Sequence, residues 1–374
     1  MITTTSDSCT AVPESLRRSK EHSDGILEWL RGRGKTIIII HDNPDPDCLA
    51  SAVALRHLIT MKLGRDAVIT FSGMIGRSEN IAMAKELEIT LIPLELVDLG
   101  DFSAVCMLDT QPGTGNNSLP PDCRVDIVID HHPVREATKS CRWVDIRDDY
   151  GVTATILYEY LVAQNIHIST KLATALFYAI KSETQDLGRE ANLPDREAYL
   201  RLFPIANKRL LYEITNPKLP VEHFQTIHSG IENTMMYGKV LVVNLQMICF
   251  PEVVSEIADF LIRLEGIETV LSMGHYNNEM ILSIRTTNTL LNAGDIIRRL
   301  VSGRGAAGGH GMMAGGKLDN VPPDPAALQE VEAFLTKGLL RELSIEDVVP
   351  VRLIESLSSN ATEPSESKGG KPCR

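Results

Sequence analysis

Strand-like apolar runs separated by helical segments constrain the fold of this chain more than any other feature. The runs are Lys35–His41 (KTIIIIH), Ala67–Phe71, Ala104–Asp109 (AVCMLD) and Val125–Asp130 (VDIVID). Apolar residues at helical spacing fill Cys48–Leu63 and Glu79–Leu87 between them. Strands that alternate with helices pair in parallel, so this part of the chain is predicted to form an α/β domain around a buried parallel sheet.

The second half of the chain carries a smaller alternation. Helical patterns first dominate, at Val152–Gln164, Leu172–Lys181 and Val221–Met235. Strand-like runs then alternate with helical ones, in the order Val240–Met247, Val253–Leu264, Thr269–Gly274, Met280–Arg285 and Ala293–Val301. A glycine-rich segment, Ser302–Gly316, and a last helix, Asp324–Leu343, follow. These patterns predict a second, smaller α/β domain.

We therefore predict a first domain over residues 21–215, a linker helix over 216–236 and a second domain over 237–345. The two ends, residues 1–20 and 356–374, are polar and lack apolar periodicity, which predicts disorder. A length of 374 residues agrees with two domains.

Charge and cysteine content exclude several classes of protein. The formal net charge of −12 argues against a surface that grips long duplex nucleic acid, so any nucleic-acid substrate should bind in a local pocket. The seven cysteines are scattered without a CxxC pair, which favours reduced thiols. The first twenty residues lack the apolar stretch of a secretory signal, and no uncharged apolar run approaches the roughly 18 residues of a membrane span. We expect a cytoplasmic protein without membrane contact and, if it forms oligomers, a dimer.

Ionisable side chains follow three of the strand-like runs. HDNPDPD, residues 41–47, follows the first run; Asp109 ends the third; and DHHP, residues 130–133, begins at the end of the fourth. Each group alone has a plain structural alternative, as a helix cap or a surface histidine pair. Parallel strands, however, bring their carboxyl ends to one edge of a sheet. The residues expected to converge there are His41, Asp45, Asp47, Asp109 and His131.

A cluster of carboxylates and imidazoles suits hard to borderline divalent ions. The imidazoles favour Mn²⁺ over an all-oxygen Mg²⁺ or Ca²⁺ site, with Mg²⁺ or Co²⁺ as substitutes. The ligands outnumber what one ion with open positions needs. Two ions about 3.5–4 Å apart, bridged by a carboxylate, are the natural arrangement for displacement at phosphorus.

These residues also carry a resemblance to a known family. HDNPDPD with Ser51, the lone Asp109, and DHHP look like the first three motifs of the DHH phosphoesterase superfamily. GAAGGHGMMAGG, which contains His310, looks like the glycine signature of its DHH-associated C-terminal domain. The likeness runs in order from about Lys35 to Lys317. Length and domain content are similar to the nano-RNase/pAp phosphatase branch, which is RecJ-like.

The resemblance implies a cleft between two domains and a site for two Mn²⁺ ions in the first. His41 and Asp45 would hold one ion, and Asp47 and His131 would hold the other. Asp109 would bridge the two ions.

The resemblance also implies catalytic roles. Asp109 is one catalytic residue, His132 would contact the scissile phosphate, and Asp130 would orient the histidines. Asn43 would touch the nucleophile or a phosphate oxygen. A hydroxide between the two ions would attack phosphorus in line.

The fourth family motif departs from the usual pattern. The family has an Asp ligand in an S/T-D-T-G-like stretch, where this chain has SETQDLGR, residues 182–189. A gap-free alignment places Glu183 at the ligand position, and Glu is one methylene longer but chemically competent. Asp186 is the alternative, one helical turn further on if the helix continues. We expect Glu183 to be the ligand.

The glycine-rich segment is expected to bind the far end of the substrate. Gly308 and Gly309 permit positive φ and close backbone approach, so amide groups can face an anion. His310 and Arg304 add donors for a phosphate or a base. Arg285, at the end of a predicted strand, is a further candidate for substrate phosphate, with a surface arginine as the alternative.

The residues and the resemblance together predict an Mn²⁺-dependent phosphoesterase. Its expected substrates are short single-stranded oligonucleotides, 3′-phosphoadenosine 5′-phosphate (pAp), or both. Alternatives are a polyphosphate or cyclic-dinucleotide hydrolase and a non-catalytic nucleotide-binding regulator.

Overall fold

The chain divides into two compact units, Met1–Lys218 and Leu219–Arg374. The computed structural model describes residues 13–189, 191–345 and 348–354. The division falls inside the region expected to link the domains. The predicted disordered tail, residues 356–374, and residues 1–12 lie outside the described part of the chain.

The first unit is built on one parallel sheet. Its elements in chain order are α1 (Glu14–Arg31), β1 (Thr36–Ile39), α2 (Pro46–Leu63), β2 (Ala67–Phe71), α3 (Ser78–Glu86), β3 (Ile92–Pro93), β4 (Ala104–Leu108), β5 (Ile127–Asp130), β6 (Trp143–Ile146), α4 (Thr153–Ala163), α5 (Thr170–Glu183), α6 (Leu193–Leu202) and α7 (Lys208–Thr215). All neighbouring strands pair in parallel. The predicted parallel sheet is confirmed, and β3 and β6 extend it at its two edges.

The strand order places a crevice at the centre of this sheet. The order is β3-β2-β1-β4-β5-β6, so the chain winds outward from β1 in one direction and from β4 in the other. The segments that follow β1 and β4 lead away in opposite directions. Ligands bind in the crevice that this leaves between the two loops. The segments after β1 and β4 carry HDNPDPD and Asp109.

Strand β1 is buried on both faces, as its run of isoleucines predicts. Ile38 and Ile40 belong to the larger core, which includes residues of all seven helices of the unit. Ile37 and Ile39 belong to a smaller core on the opposite face, with β4 and β5 residues and with loop residues packed against it. This anchoring fixes where the loop after β1 begins.

Helix α1 begins at Glu14, so the predicted disorder of residues 1–20 is wrong for residues 14–20. The start of α1 shows no apolar periodicity because its buried positions include serines. Ser19 donates to Glu159 at 2.7 Å, and the hydroxyl of Ser23 accepts from the side-chain amide of Gln164 at 2.7 Å. Buried polar contacts, and not an apolar stripe, therefore anchor the first part of this helix.

The second unit is built on a mixed sheet. Its elements are α8 (Val221–Glu232), β7 (Met235–Tyr237), β8 (Val240–Met247), α9 (Val253–Leu261), β9 (Thr269–Tyr276), β10 (Glu279–Thr286), α10 (Ala293–Val301), β11 (Gly305–His310), β12 (Met313–Leu318), α11 (Pro325–Glu342) and β13 (Val351–Arg352). The strand order is β11-β12-β10-β9-β8-β7-β13. Among the described strands of this second sheet, only β8 and β9 pair in parallel.

Helix α8 corrects the predicted linker helix. Ile227 and Ile231 pack against the core cluster formed by β8, α9 and β9 residues. A β-carbon on Gly230 would lie 2.4 Å from the Leu245 side chain, so the helix is closely packed there. Helix α8 therefore belongs to the second unit.

The glycine-rich segment forms a β-hairpin of β11 and β12. Of the two glycines expected to permit positive φ, Gly309 adopts a φ of 123° and Gly308 does not have a positive φ. Helix α10 approaches the hairpin so closely that a β-carbon on Gly294 would lie 2.0 Å from the carbonyl oxygen of Gly309. Close packing is therefore one reason for glycine in this region.

Gly294→Ala is expected to destabilise the second unit by roughly 1–3 kcal/mol, because the added methyl group meets rigid backbone. Gly308→Ala is the matched control, since its added methyl group would meet nothing within 4 Å. Urea unfolding of both variants measures the difference. Equal stability of the two variants would contradict this interpretation of the packing.

Among the described residues, we find no helix whose length and hydrophobicity would let it cross a lipid bilayer.

Candidate metal centre

The strand-end residues predicted to converge do lie together, at the carboxyl ends of β1, β4 and β5. His41 contacts both Asp45 and Asp109, and His131 reaches the other carboxylate oxygen of Asp109. The centre therefore lies at the point where the strand order reverses. This position agrees with the general location of ligand sites in open parallel sheets.

His41 presents one ring nitrogen to two carboxylates. Its Nδ1 lies 2.9 Å from the backbone oxygen of Asp42, and a carbonyl oxygen can only accept, so Nδ1 carries the proton. Its Nε2 lies 3.2 Å from Asp45 Oδ2 and 3.6 Å from Asp109 Oδ2. A metal-ligating histidine usually has its second nitrogen fixed by such a bond.

His131 is held in the same way on the other side of the centre. Its Nδ1 lies 3.2 Å from the backbone oxygen of Tyr150. Its Nε2 lies 3.6 Å from Asp109 Oδ1 and 3.9 Å from Asp47 Oδ2.

Asp109 stands between the two histidines with one carboxylate oxygen toward each. Its side chain is 3% exposed, and the Thr153 hydroxyl donates to Oδ1 at 2.9 Å. Its φ of 56° lies in the left-handed region, which Asp tolerates better than most residues but still at a cost. This backbone conformation and the hydroxyl contact fix the orientation expected of a bridging carboxylate.

Asp45 and Asp47 are positioned by the start of α2. Asp45 is the N-cap and accepts from the amide of Cys48 at 3.1 Å. Asp47 accepts from the amides of Thr153 and Ala154 at the start of α4, each at 2.7 Å. The N-terminus of one helix thus binds a carboxylate on another, which favours the ionised form.

The carboxylates of the centre repel one another. Burial, followed by the charges of Asp109 and Asp45, raises the pKa of Asp47 well above its usual value. Burial, followed by the charge of Asp45, raises the pKa of Asp109. Partial burial and the charges of Asp45 and Asp109 raise the pKa of Glu183 to about 8. A divalent cation relieves this repulsion, and the nitrogen and oxygen donors present fit Mn²⁺.

Asp130 orients both histidines of the DHHP segment. Its Oδ1 accepts from the amides of His131 and His132 at 2.8 and 3.2 Å and lies 2.8 Å from His132 Nδ1. Gln111 donates to its Oδ2 at 2.8 Å. Although burial opposes it, the bond to Asp130 and the nearby carboxylates raise the pKa of His132 to about 9. The raised pKa favours the protonated form of His132, which suits contact with an anion.

The structure separates the two candidates of the fourth motif. Helix α5 ends at Glu183, and Gln185, Asp186 and Leu187 all adopt positive φ values. Asp186 is therefore not one helical turn beyond Glu183. It is exposed and bonds with Lys181 and Tyr199. Burial, followed by the nearby charges of Asp45 and Asp109, raises the pKa of Glu183, so its carboxyl lies near the other proposed ligands, which supports it as the ligand.

Glu183→Gln is expected to weaken Mn²⁺ binding by at least about tenfold, because it removes a charged donor. Glu183→Asp should retain most of the affinity, since a carboxylate remains. Asp186→Asn is the matched control and should bind like the wild type. Titration of free Mn²⁺ by electron paramagnetic resonance measures all three variants. Loss of binding in Asp186→Asn alone would reverse the assignment.

Asn43 has a structural role that the sequence did not predict. Its φ is 57°, and its side-chain oxygen accepts from the amide of Met74 at 3.0 Å. Its own amide donates to the backbone oxygen of Ser72 at 3.0 Å. Asn43 therefore joins the loop after β1 to the loop after β2. Neither bond involves the side-chain NH2 group, so contact of Asn43 with the nucleophile or a phosphate oxygen stays a prediction.

Several residues near the centre were missed by sequence reasoning. Cys48 offers its sulfur within 4.8 Å of ligand atoms of His41 and Asp45, although cysteine was expected to be absent from the cluster. Its position three residues after Asp45, in the first turn of the helix, is a signal that could have indicated this. Gln111 bonds to Asp130 and Thr153 bonds to Asp109. Neither contact could be predicted from a local pattern, because the two partners lie in different parts of the chain.

The predicted substrate residues of the second unit differ in their surroundings. Arg285 is 7% exposed and bonds with Asp259, with the Ser283 hydroxyl at 2.7 Å and with a backbone oxygen. It is therefore a structural residue, which corrects its predicted role. Arg304 is exposed and stacks 4.8 Å from the centre of the Phe334 ring. Gly308 and Gly309 lie on the edge strand β11. The role of His310 stays a prediction, since its side chain lies outside the described part.

Comparison with protein families agrees with this centre and with the two units. The model of the DHH family N-terminal domain matches residues 35–180, and the DHHA1 domain model matches residues 237–337. Together they match more than half of the chain. The chain belongs to the DHH superfamily of metal-dependent phosphoesterases and carries a DHHA1 domain.

Individual relatives cover different shares of the chain. An uncharacterized protein of Methanocaldococcus jannaschii is 32% identical over 329 residues, which are 87% of this chain and 65% of that protein. A probable manganese-dependent inorganic pyrophosphatase of Staphylococcus saprophyticus is 25% identical over 150 residues, which are 40% of this chain and 48% of that protein. The chain thus spans less than two thirds of the length of either relative.

A solved structure shares the fold. The exopolyphosphatase-related protein of Bacteroides fragilis superposes with a TM-score of 0.68 at 14% identity, over 87% of this chain and 98% of that chain. At this identity the likeness shows the fold alone. The predicted place in the nano-RNase/pAp phosphatase branch stays a prediction.

Proposed function

We propose that this protein is an Mn²⁺-dependent phosphoesterase that hydrolyses short oligonucleotides, pAp, or both. The observation that carries the proposal is the placement of Asp109. Its two oxygens each lie 3.6 Å from the Nε2 atom of a different histidine, His41 or His131. A carboxylate shared in this way supports a centre for two ions.

The side chains divide into two ligand groups around Asp109. His41 and Asp45 would hold one ion, and Asp47, His131 and Glu183 would hold the other. When bound, a pair of divalent ions activates water and stabilises the attacking and leaving oxygens of a displacement at phosphorus. Relatives named as manganese-dependent support Mn²⁺, with Mg²⁺ or Co²⁺ as substitutes.

The remaining residues act on the substrate or on one another. His132 would donate from Nε2 to a phosphate oxygen, while Asp130 holds its Nδ1 proton. Burial and the nearby carboxylates raise the pKa of Glu183, and the charges of Arg77 and Arg189 offset part of that rise. Positive charge therefore also lies on that side of the centre. Local cations on a chain with net charge −12 favour a small anionic substrate over a long duplex.

A substrate panel tests the proposal. The purified full chain with Mn²⁺ should release phosphate from pAp or mononucleotides from a diribonucleotide, and EDTA should abolish the reaction. Polyphosphate and cyclic di-AMP complete the panel, with Asp109→Asn as the matched inactive variant. Preferred cleavage of polyphosphate or cyclic di-AMP would show that the substrate is of that class and not a short oligonucleotide or pAp. Mn²⁺ binding without turnover of any member would favour a non-catalytic regulator.

A further inference from the structure

A short segment that leads from the loop after β6 into the first turn of α4 touches three of the proposed metal ligands. This segment, residues 150–155, is called the bracing segment here. Its backbone oxygen at Tyr150 lies 3.2 Å from His131 Nδ1. The amides of residues 153 and 154 each donate to Asp47 at 2.7 Å, and the Thr153 hydroxyl donates to Asp109 at 2.9 Å. One stretch of chain therefore sets ligands that come from three different elements.

The bracing segment is itself held by one buried carboxylate, Asp195 on α6. Asp195 is 0% exposed. Its Oδ2 accepts from the amide of Gly151 at 2.8 Å, and its Oδ1 accepts from the hydroxyl of Thr155 at 2.7 Å. These contacts lie on either side of the residues that touch Asp47 and Asp109. Asp195 thus fixes the segment at two points.

We propose that Asp195 is a positioning residue of the metal centre, an inference that rests on the proposed function. It touches no proposed ligand directly and acts through the bracing segment. It also lies beyond residues 35–180, the part that matches the DHH family model. A shift of the bracing segment would move the donors to Asp47 and Asp109 and the acceptor of His131 together. Partners that orient metal ligands typically contribute about 10–100-fold to metal affinity or activity.

The competing explanation is that Asp195 only stabilises α6. Its Oδ2 also accepts from the amide of Asn192 at 3.0 Å, as part of a capping box at the start of that helix. That role requires no contact with Gly151 or Thr155. If Asp195 only stabilises α6, its loss should lower stability without lowering metal affinity. If Asp195 positions the metal centre, its loss should lower metal affinity more than another variant that is destabilised equally.

The test compares Mn²⁺ dissociation constants, measured by electron paramagnetic resonance, with unfolding midpoints of the full-length chain. Asp195→Ala should raise the dissociation constant by about 10–100-fold, and activity should recover in part at high Mn²⁺. Asp195→Asn should restore most of the affinity, because its oxygen can accept from Gly151 and its amide can donate to Thr155. Thr155→Val removes one of the two contacts at nearly constant volume and should raise the constant a few-fold.

Leu202→Ala is the control for stability alone. Leu202 lies on the same helix, is 0% exposed and makes no contact with the bracing segment through a hydrogen bond. It should lower the unfolding midpoint and leave the Mn²⁺ dissociation constant unchanged.

Two results would overturn the inference. One is wild-type Mn²⁺ affinity in folded Asp195→Ala. The other is an equal loss of affinity in Leu202→Ala. If Asp195→Ala does not fold, an unchanged dissociation constant in Thr155→Val overturns the inference. A wild-type chain that binds no Mn²⁺ would contradict the proposed function as well, whereas normal wild-type binding with unaffected variants contradicts this inference alone.

Discussion

Asp109→Asn is expected to reduce phosphoesterase turnover by about a thousandfold while the first unit stays folded. Asn removes the charge that both ligand groups share but keeps the shape of the side chain. Charge stabilisation by bound ions contributes several kcal/mol, and about 4 kcal/mol corresponds to a factor of about a thousand. Steady-state kinetics on the preferred substrate in saturating Mn²⁺ measures the loss.

Without metal, Asp109→Asn should be at least as stable as the wild type. Asn tolerates the left-handed φ of 56° and still accepts from the Thr153 hydroxyl. The change also removes one of the crowded carboxylates, whose mutual repulsion raises the pKa of Asp109. Asp186→Asn, at an exposed carboxylate, is the control for a charge change alone. Near-normal turnover of folded Asp109→Asn would contradict the shared-carboxylate centre.

Arg147→Met is expected to destabilise the first unit by about 3–5 kcal/mol, because it removes the buried cation that Asp145 and Glu159 share. The Arg147 side chain is 1% exposed and bonds with Asp145 and Glu159, each at 2.7 Å. It also donates to the Ser19 hydroxyl at 2.9 Å and to Tyr150 at 3.1 Å. The network therefore joins α1, β6 and α4 through one guanidinium.

Thermal unfolding measures this prediction. A loss of 3–5 kcal/mol corresponds to a fall in melting temperature of roughly 6–20 °C in a unit of this size. Arg17→Met is the matched control, since Arg17 lies on α1 but is 62% exposed and pairs only at the surface with acidic neighbours. Its effect should stay within about 0.5 kcal/mol. A loss below about 1 kcal/mol in Arg147→Met would show that the network contributes little to stability.

Most ligands of the candidate centre could be predicted because their signals are local. Asp109 directly follows a buried strand, His41 stands two residues past the end of another, and His131 stands one residue past the end of a third. Parallel pairing brings such ends to one edge whatever the order of the strands. The apolar composition of those strands is what made the parallel sheet predictable. The DHHP and HDNPDPD segments needed no knowledge of tertiary contacts.

Predictions from the sequence failed where a side chain satisfies a partner far along the chain. Ser19 looked like part of a disordered end, but Glu159 binds it across 140 residues. Arg285 looked available for substrate, but the second unit buries it against Asp259. Both are polar residues whose burial depends on a partner that no local pattern reveals.

The sequence by itself determined the two α/β units, the parallel sheet and the residue types that meet at its edge, because periodicity and strand ends are local properties. Only the tertiary structure decided that the order of strands reverses between β1 and β4, which puts His41 and Asp109 at the central crevice. It alone ended α5 at Glu183 and turned Asp186 outward. Strand order and helix ends depend on packing between distant segments. The same local sequence pattern is compatible with several strand orders and several helix ends.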